Sequence, residues 1–178
     1  MRLLLSLVVI LVAGAAHAQS DETDAHAGAR DFFAHMAFLE GDWQLENFLM
    51  TGPGQSTTKS FSVSTERVFD GLGLMSNWTD NATGDWIGAV ITTFDPGSST
   101  YSVRFFDGRA NRWTESDQVL TLTDTGFEAA FSGEDAHGPF DSRTRMERVS
   151  ADQYRQTIER RYPGTDWFVT DSIEAHRD

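Results

Sequence analysis

Phe38-Leu39-Glu40-Gly41-Asp42-Trp43 is the stretch that decides how the rest of the sequence is read. Upstream, Phe32, Phe33, Met36 and Leu39 recur at helical spacing, so the pattern predicts a short helix over residues 29–40. Gly41 is a suitable stop for it, and Trp43 opens an extended run. A helix that ends on a glycine and hands over to a long aromatic-led strand is the expected look of a plug at one end of a barrel.

Working outward from there, the chain shows eleven extended segments, at 42–50, 58–69, 72–81, 86–95, 100–107, 112–116, 119–123, 127–132, 140–149, 153–161 and 165–176. Turn signals separate them at roughly ten-residue intervals, among them Gly52-Pro53-Gly54, Asp70-Gly71, Asp95-Pro96-Gly97 and Pro163-Gly164. No second helical pattern of useful length interrupts the series. Successive antiparallel strands of this number close most economically into a barrel, because closure removes exposed edges. The expected fold is therefore all-β, an antiparallel up-and-down β-barrel of about eight to ten strands with a short N-terminal helix.

Upstream of the helix, Met1-Arg2, an apolar run from Leu3 to Ala13 and the small-residue end Ala16-His17-Ala18 read as a secretory signal peptide over residues 1–18. The run is too short for a membrane span of about 20 residues. Residues 19–29 are acidic and small and read as a flexible tail, which leaves 30–178 as one barrel domain. The expected destination is the periplasm or the extracellular space, with no membrane insertion after signal cleavage.

The 178 residues carry 27 acidic against 14 basic groups, a formal net charge of −13. A field of that sign repels phosphate, so nucleic acid is not an expected partner. There is no cysteine, which excludes thiolate chemistry, disulfides and cysteine metal sites. The sequence holds no Gly-x-Ser-x-Gly elbow, no His-Glu-x-x-His and no glycine-rich phosphate loop. Its five histidines are scattered. Neither a cofactor nor a metal is expected from this inventory.

Phe38-Leu39-Glu40-Gly41-Asp42-Trp43, Phe69-Asp70-Gly71-Leu72-Gly73-Leu74 and Thr93-Phe94-Asp95-Pro96 followed by Tyr101 resemble a bacterial family of lipocalin-like barrels within the calycin superfamily. The resemblance implies an internal cavity. It also implies a first-strand tryptophan packed under an arginine near the chain end, parts that Trp43 and Arg177 would play. Ser172 stands where lipocalins carry a tyrosine, which points to the wider calycin group. Nitrobindins, a related group, bind haem through a late histidine. Only His176 could match, and its position reads as an exposed terminal residue.

The candidate site comes from the last three strands. Even-length turns at 150–153 and 163–164 would place Val149, Tyr154, Ile158, Trp167, Val169 and Ile173 on one inward face. Glu147, Gln156 and Asp171 would then form a polar row across three strands, with Arg145 beside it. Buried carboxylates need partners, water or a ligand. The expected function is binding of a small, partly apolar molecule among Arg145, Glu147, Tyr154, Gln156, Ile158, Trp167 and Asp171, with Trp78 and Phe105 as further lining. The alternative is a cavity enzyme, an isomerase, cyclase or hydrolase using Glu147 or Asp171 as acid/base.

Overall fold

The computed structural model describes residues 26–52 and 54–177. A helix, α1, runs through residues 26–35 and tightens into a 3-10 turn at Met36–Leu39. Phe32, Phe33, Met36 and Leu39 are all buried, as the helical spacing requires. The helix is under way by residue 26, ahead of the start expected at Ala29, and Ala29 itself is buried. The expected signal segment lies outside the described residues. Gly41 has a φ of +104°, a conformation that favours glycine, and this turns the chain from the helix into the first strand.

Ten strands follow: β1 (Gly41–Gly52), β2 (Gln55–Val68), β3 (Gly73–Asp80), β4 (Trp86–Asp95), β5 (Thr100–Asp107), β6 (Arg112–Thr123), β7 (Gly126–Asp135), β8 (Gly138–Arg148), β9 (Gln153–Arg161) and β10 (Phe168–His176). Each pairs antiparallel with the next, and β10 pairs back onto β1, so the sheet is a closed barrel without an edge. This is the expected fold class. The segments expected at 112–116 and 119–123 are one continuous strand, β6, because Asp117 and Gln118 stay in the ladder opposite Ser102 and Tyr101.

The helix closes the end where β1 begins. Phe32 stacks on Phe94 of β4 with ring centroids 4.3 Å apart, and His35 Nε2 lies 3.2 Å from the Gly126 carbonyl oxygen at the start of β7. Arg67 of β2 donates to the Phe33 carbonyl at 2.9 Å and pairs with Glu40. Trp43 Nε1 donates to the Leu39 carbonyl at 3.0 Å. Burying each large apolar side chain of this plug contributes about 1.5–3 kcal/mol.

The register at the C-terminal hairpins differs from the expected one. Arg148 pairs with Tyr154 and Met146 with Gln156, so the β8–β9 connection holds five residues, an odd number. Every β8 side chain therefore sits on the opposite face from the one expected: Thr144 and Met146 point in, and Arg145 and Glu147 point out. In β10 a bulge between Val169 and Asp171 has a local effect. It leaves Val169 on the outer surface while Asp171 and Ile173 remain inside. Val149 is exposed in the connection.

The outer surface of β7–β10 carries a ladder of ion pairs. Arg145 Nη2 lies 2.7 Å from Glu128, Arg143 Nε 2.6 Å from Glu159, and Arg161 Nη2 2.7 Å from Asp141. Among the described residues, no helix is long and apolar enough to cross a membrane.

Candidate ligand cavity

Period-two alternation along ten strands sends one set of side chains to the barrel axis, and these do not fill it. A cavity of about 580 Å³ remains, capped at the helix end by Leu39. Its walls are mainly apolar, from Phe61 and Val63 on β2 through Val103 and Phe105 on β5 to Ile158 on β9. Six of the nine residues expected at the site line it: Trp78, Phe105, Tyr154, Gln156, Ile158 and Asp171.

The other three lie elsewhere. Arg145 is on the outer surface with Glu128. Glu147 faces Arg155 there, at 3.6 Å. Trp167 precedes β10 on the outside, where the guanidinium carbons of Arg143 and Arg161 sit 4.4 and 4.8 Å from its ring centroid. No base or acid from β8 therefore reaches the interior. Within β8 the charges at Arg143, Arg145 and Glu147 alternate with the uncharged Ser142, Thr144 and Met146, and that alternation is the signal for the observed orientation.

The interior polar groups come instead from strands distributed around the barrel. Asp171 on β10 has Asn47 on the neighbouring strand β1, which pairs with Ile173, and Gln156 on the other side, which pairs with Ile173 as well. Gln118 projects from β6, on the wall facing β1 and β10. Four buried side-chain atoms on residues that line this cavity have no hydrogen-bond partner within the protein: Asn47 Oδ1, Trp78 Nε1, Gln118 Oε1 and Asp171 Oδ1. Gln118 Nε2 does donate to Ser116 Oγ, at 3.2 Å, which fixes the amide and leaves its oxygen free.

Asn47 and Gln118 are site residues that the sequence reading did not select. For Asn47 a signal exists, since Trp43, Leu45, Asn47 and Leu49 form one alternating inward series on β1. For Gln118 the signal misleads. It is buried while its neighbour Val119 is 66% exposed, an inversion of the usual polarity.

Burial pushes the Asp171 carboxyl up to about 6, opposed in part by the neighbouring Asn47 side chain. Burial also raises Tyr101, to about 12, against a hydrogen bond with Thr92, and raises Tyr154. At neutral pH the cavity therefore holds one carboxylate and two neutral phenols. No lysine, arginine or histidine is among the described residues that line it. His176 is exposed at the end of β10, next to the buried Ala175.

Fold and site together define a closed ten-stranded antiparallel barrel with an apolar, acid-bearing internal cavity. Among solved structures the chain is similar to Rv2717c from M. tuberculosis, with a TM-score of 0.47 and 14% sequence identity over 80% of this chain and 94% of that one. No family model matches the chain, and no curated protein matches it.

Proposed function

We propose that this protein is an exported, calycin-like barrel that binds a small, partly apolar molecule in its internal cavity. The observation that carries this reading is the set of buried polar atoms left without partners in an apolar enclosure of about 580 Å³. A buried donor or acceptor with no partner costs about 1–3 kcal/mol, a cost that a complementary ligand offsets. The volume suits a drug-sized molecule. The packing of Arg177 over Trp43 supports the calycin likeness, and the segment at 1–18 supports export.

A second reading, a cavity enzyme with Asp171 as acid/base, has one observation in its favour. A carboxyl lifted to about 6 is poised to exchange a proton near neutral pH. Glu147, the other acid considered for that role, faces Arg155 on the outer surface.

The test is native mass spectrometry on protein purified from its own host, combined with thermal denaturation in a panel of small apolar molecules. A bound mass that leaves on unfolding, or a rise in Tm with a subset of the panel, is expected. A bare chain whose Tm no compound moves would overturn the binding reading.

A further inference from the structure

The cavity is chemically one-sided. Of the four unpartnered buried atoms, three are acceptors, Asn47 Oδ1, Gln118 Oε1 and Asp171 Oδ1, and one is a donor, Trp78 Nε1. Asn47 is 6% and Gln118 9% exposed, so neither oxygen is satisfied from bulk solvent. Asp171 faces no cationic side chain among the described lining residues. Leu49 and Ile158 flank it in the sheet, and the lining elsewhere includes Phe61, Trp78, Phe105 and Tyr154, whose ring faces attract a cation and repel an anion.

Resting on the ligand-binding reading, we propose that the cavity selects an amphipathic amine: an apolar body lies among Trp78, Phe105 and Tyr154, and a primary or secondary ammonium donates to Asp171 and Asn47. Gln118 on the facing wall accepts from a second donor, such as a hydroxyl further along the molecule. An ammonium supplies both the hydrogens that these oxygens lack and the positive charge that the lone carboxylate lacks. A carboxylate ligand would bring a second negative charge beside Asp171 with nothing to neutralise either. A neutral alcohol would satisfy the acceptors and leave the charge uncompensated. The net charge of −13 acts in the same direction at longer range, since it concentrates cations around the molecule.

Three probes of matched shape decide this: para-phenylbenzylamine, para-phenylbenzyl alcohol and para-phenylbenzoate, titrated calorimetrically into the intact protein at about pH 8, where Asp171 is ionised. The amine is expected to bind at least about tenfold more tightly than the alcohol, and the benzoate most weakly. Asp171→Asn should abolish the preference for the amine over the alcohol.

A second measurement needs no variant. Between about pH 8 and pH 5 the wild-type preference for the amine should collapse as Asp171 takes up a proton. The other titratable groups lining the cavity, Tyr101 and Tyr154, stay neutral throughout that range. Binding of the alcohol or benzoate without preference for the amine, or a preference that survives Asp171→Asn, overturns the amine assignment and leaves the cavity reading standing. If none of the three binds, the amine assignment falls, and native mass spectrometry with the Tm panel decides the cavity reading separately.

Discussion

Arg177 sits over Trp43, its guanidinium carbon 3.9 Å from the ring centroid, while its Nη2 donates to the carbonyls of Phe38 at 2.8 Å and Glu40 at 3.2 Å. One side chain near the end of the chain thus binds the first strand and the last turn of the helix plug. Its partners are separated from it by more than 130 positions, as the sequence separation of 139 for Phe38 records. The plug is held by the barrel's closing strand as well as by its own packing.

Arg177→Ala should therefore cost on the order of 2–3 kcal/mol, from a partly desolvated cation–π contact and two charged hydrogen bonds. Arg177→Lys keeps the charge and loses the planar guanidinium and its fork, so it should recover less than half of that. Urea denaturation of the three proteins checks this. Equal midpoints for wild type and Arg177→Ala would mean that the helix cap stands without the clamp.

Asp171 sets a pH dependence of the opposite sign to that of ordinary surface acids. Burial lifts it to about 6, whereas in the unfolded chain it titrates near 3.9. Between those values the native state holds the proton that the unfolded state has released. Unfolding free energy therefore falls as pH rises through that window, and the cost is fully present above about pH 6. Asp171→Asn should be more stable than wild type by on the order of 1–3 kcal/mol near pH 7.5, with the difference vanishing by about pH 4. Acids held low by hydrogen bonds, such as Asp80 with the Ala82 N–H and Asp141 with Arg161, are the same in both proteins and cancel. Denaturation curves for both proteins at both pH values supply the test. A gap that does not change with pH would remove Asp171 from the account.

The helix, the strand series and the closure of the barrel were legible in the sequence because each rests on a local period: 3.6 for Phe32, Phe33, Met36 and Leu39, and two along each strand. The Trp43–Arg177 clamp was legible only through the resemblance, since nothing local links positions so far apart. The inward row was half legible. Tyr154, Gln156, Ile158 and Asp171 face the cavity as expected. Arg145 and Glu147 do not, because the side on which they fall was inferred across a turn whose residue count was one short. A register carried across a turn fails wholesale with one residue, whereas parity within a strand is fixed by its own alternation. The bulge in β10 is a further departure that periodicity alone does not encode.

Glu147→Ala and Trp167→Ala serve as controls for that register. Glu147 pairs with Arg155 on the outer face, and Arg143 and Arg161 both lie against the Trp167 ring. Trp167→Ala should lose about 1 kcal/mol of stability from two exposed cation–π contacts. Neither change should alter affinity for a cavity ligand by more than about twofold. A larger loss on Glu147→Ala would mean that β8 turns its charges inward in solution.

Gly88 lets the cavity wall close around Phe105. A Cβ at this position would meet the Phe106 carbonyl oxygen at 2.1 Å and the Phe105 ring at 3.0 Å. The first contact is with backbone, which cannot swing away. Gly88→Ala should cost at least about 1–3 kcal/mol and displace Phe105 into the cavity. Its midpoint in urea and its ligand affinity should fall together. An unchanged midpoint would show that β4 and β5 part at this point without cost.

Gln118 separates a stability role from a binding role most cleanly. Its Nε2 donates to Ser116, a bond worth about 1 kcal/mol net, while its buried Oε1 is left without a partner at a cost of about 1–3 kcal/mol. Ser116 is only partly buried, so water can replace the lost amide there. Gln118→Met keeps the length of the side chain and removes both terms, so the ligand-free protein should become more stable by roughly 0.5–2 kcal/mol. If the free oxygen is held ready for a ligand donor, the same change should weaken a hydroxyl-bearing amine by about five- to fiftyfold and leave a simple alkylamine almost unaffected. Paired denaturation and calorimetry on the one variant read both quantities. A destabilised Gln118→Met protein that binds both amines as wild type does would assign the amide to the barrel wall and leave the head group to Asp171 and Asn47 alone.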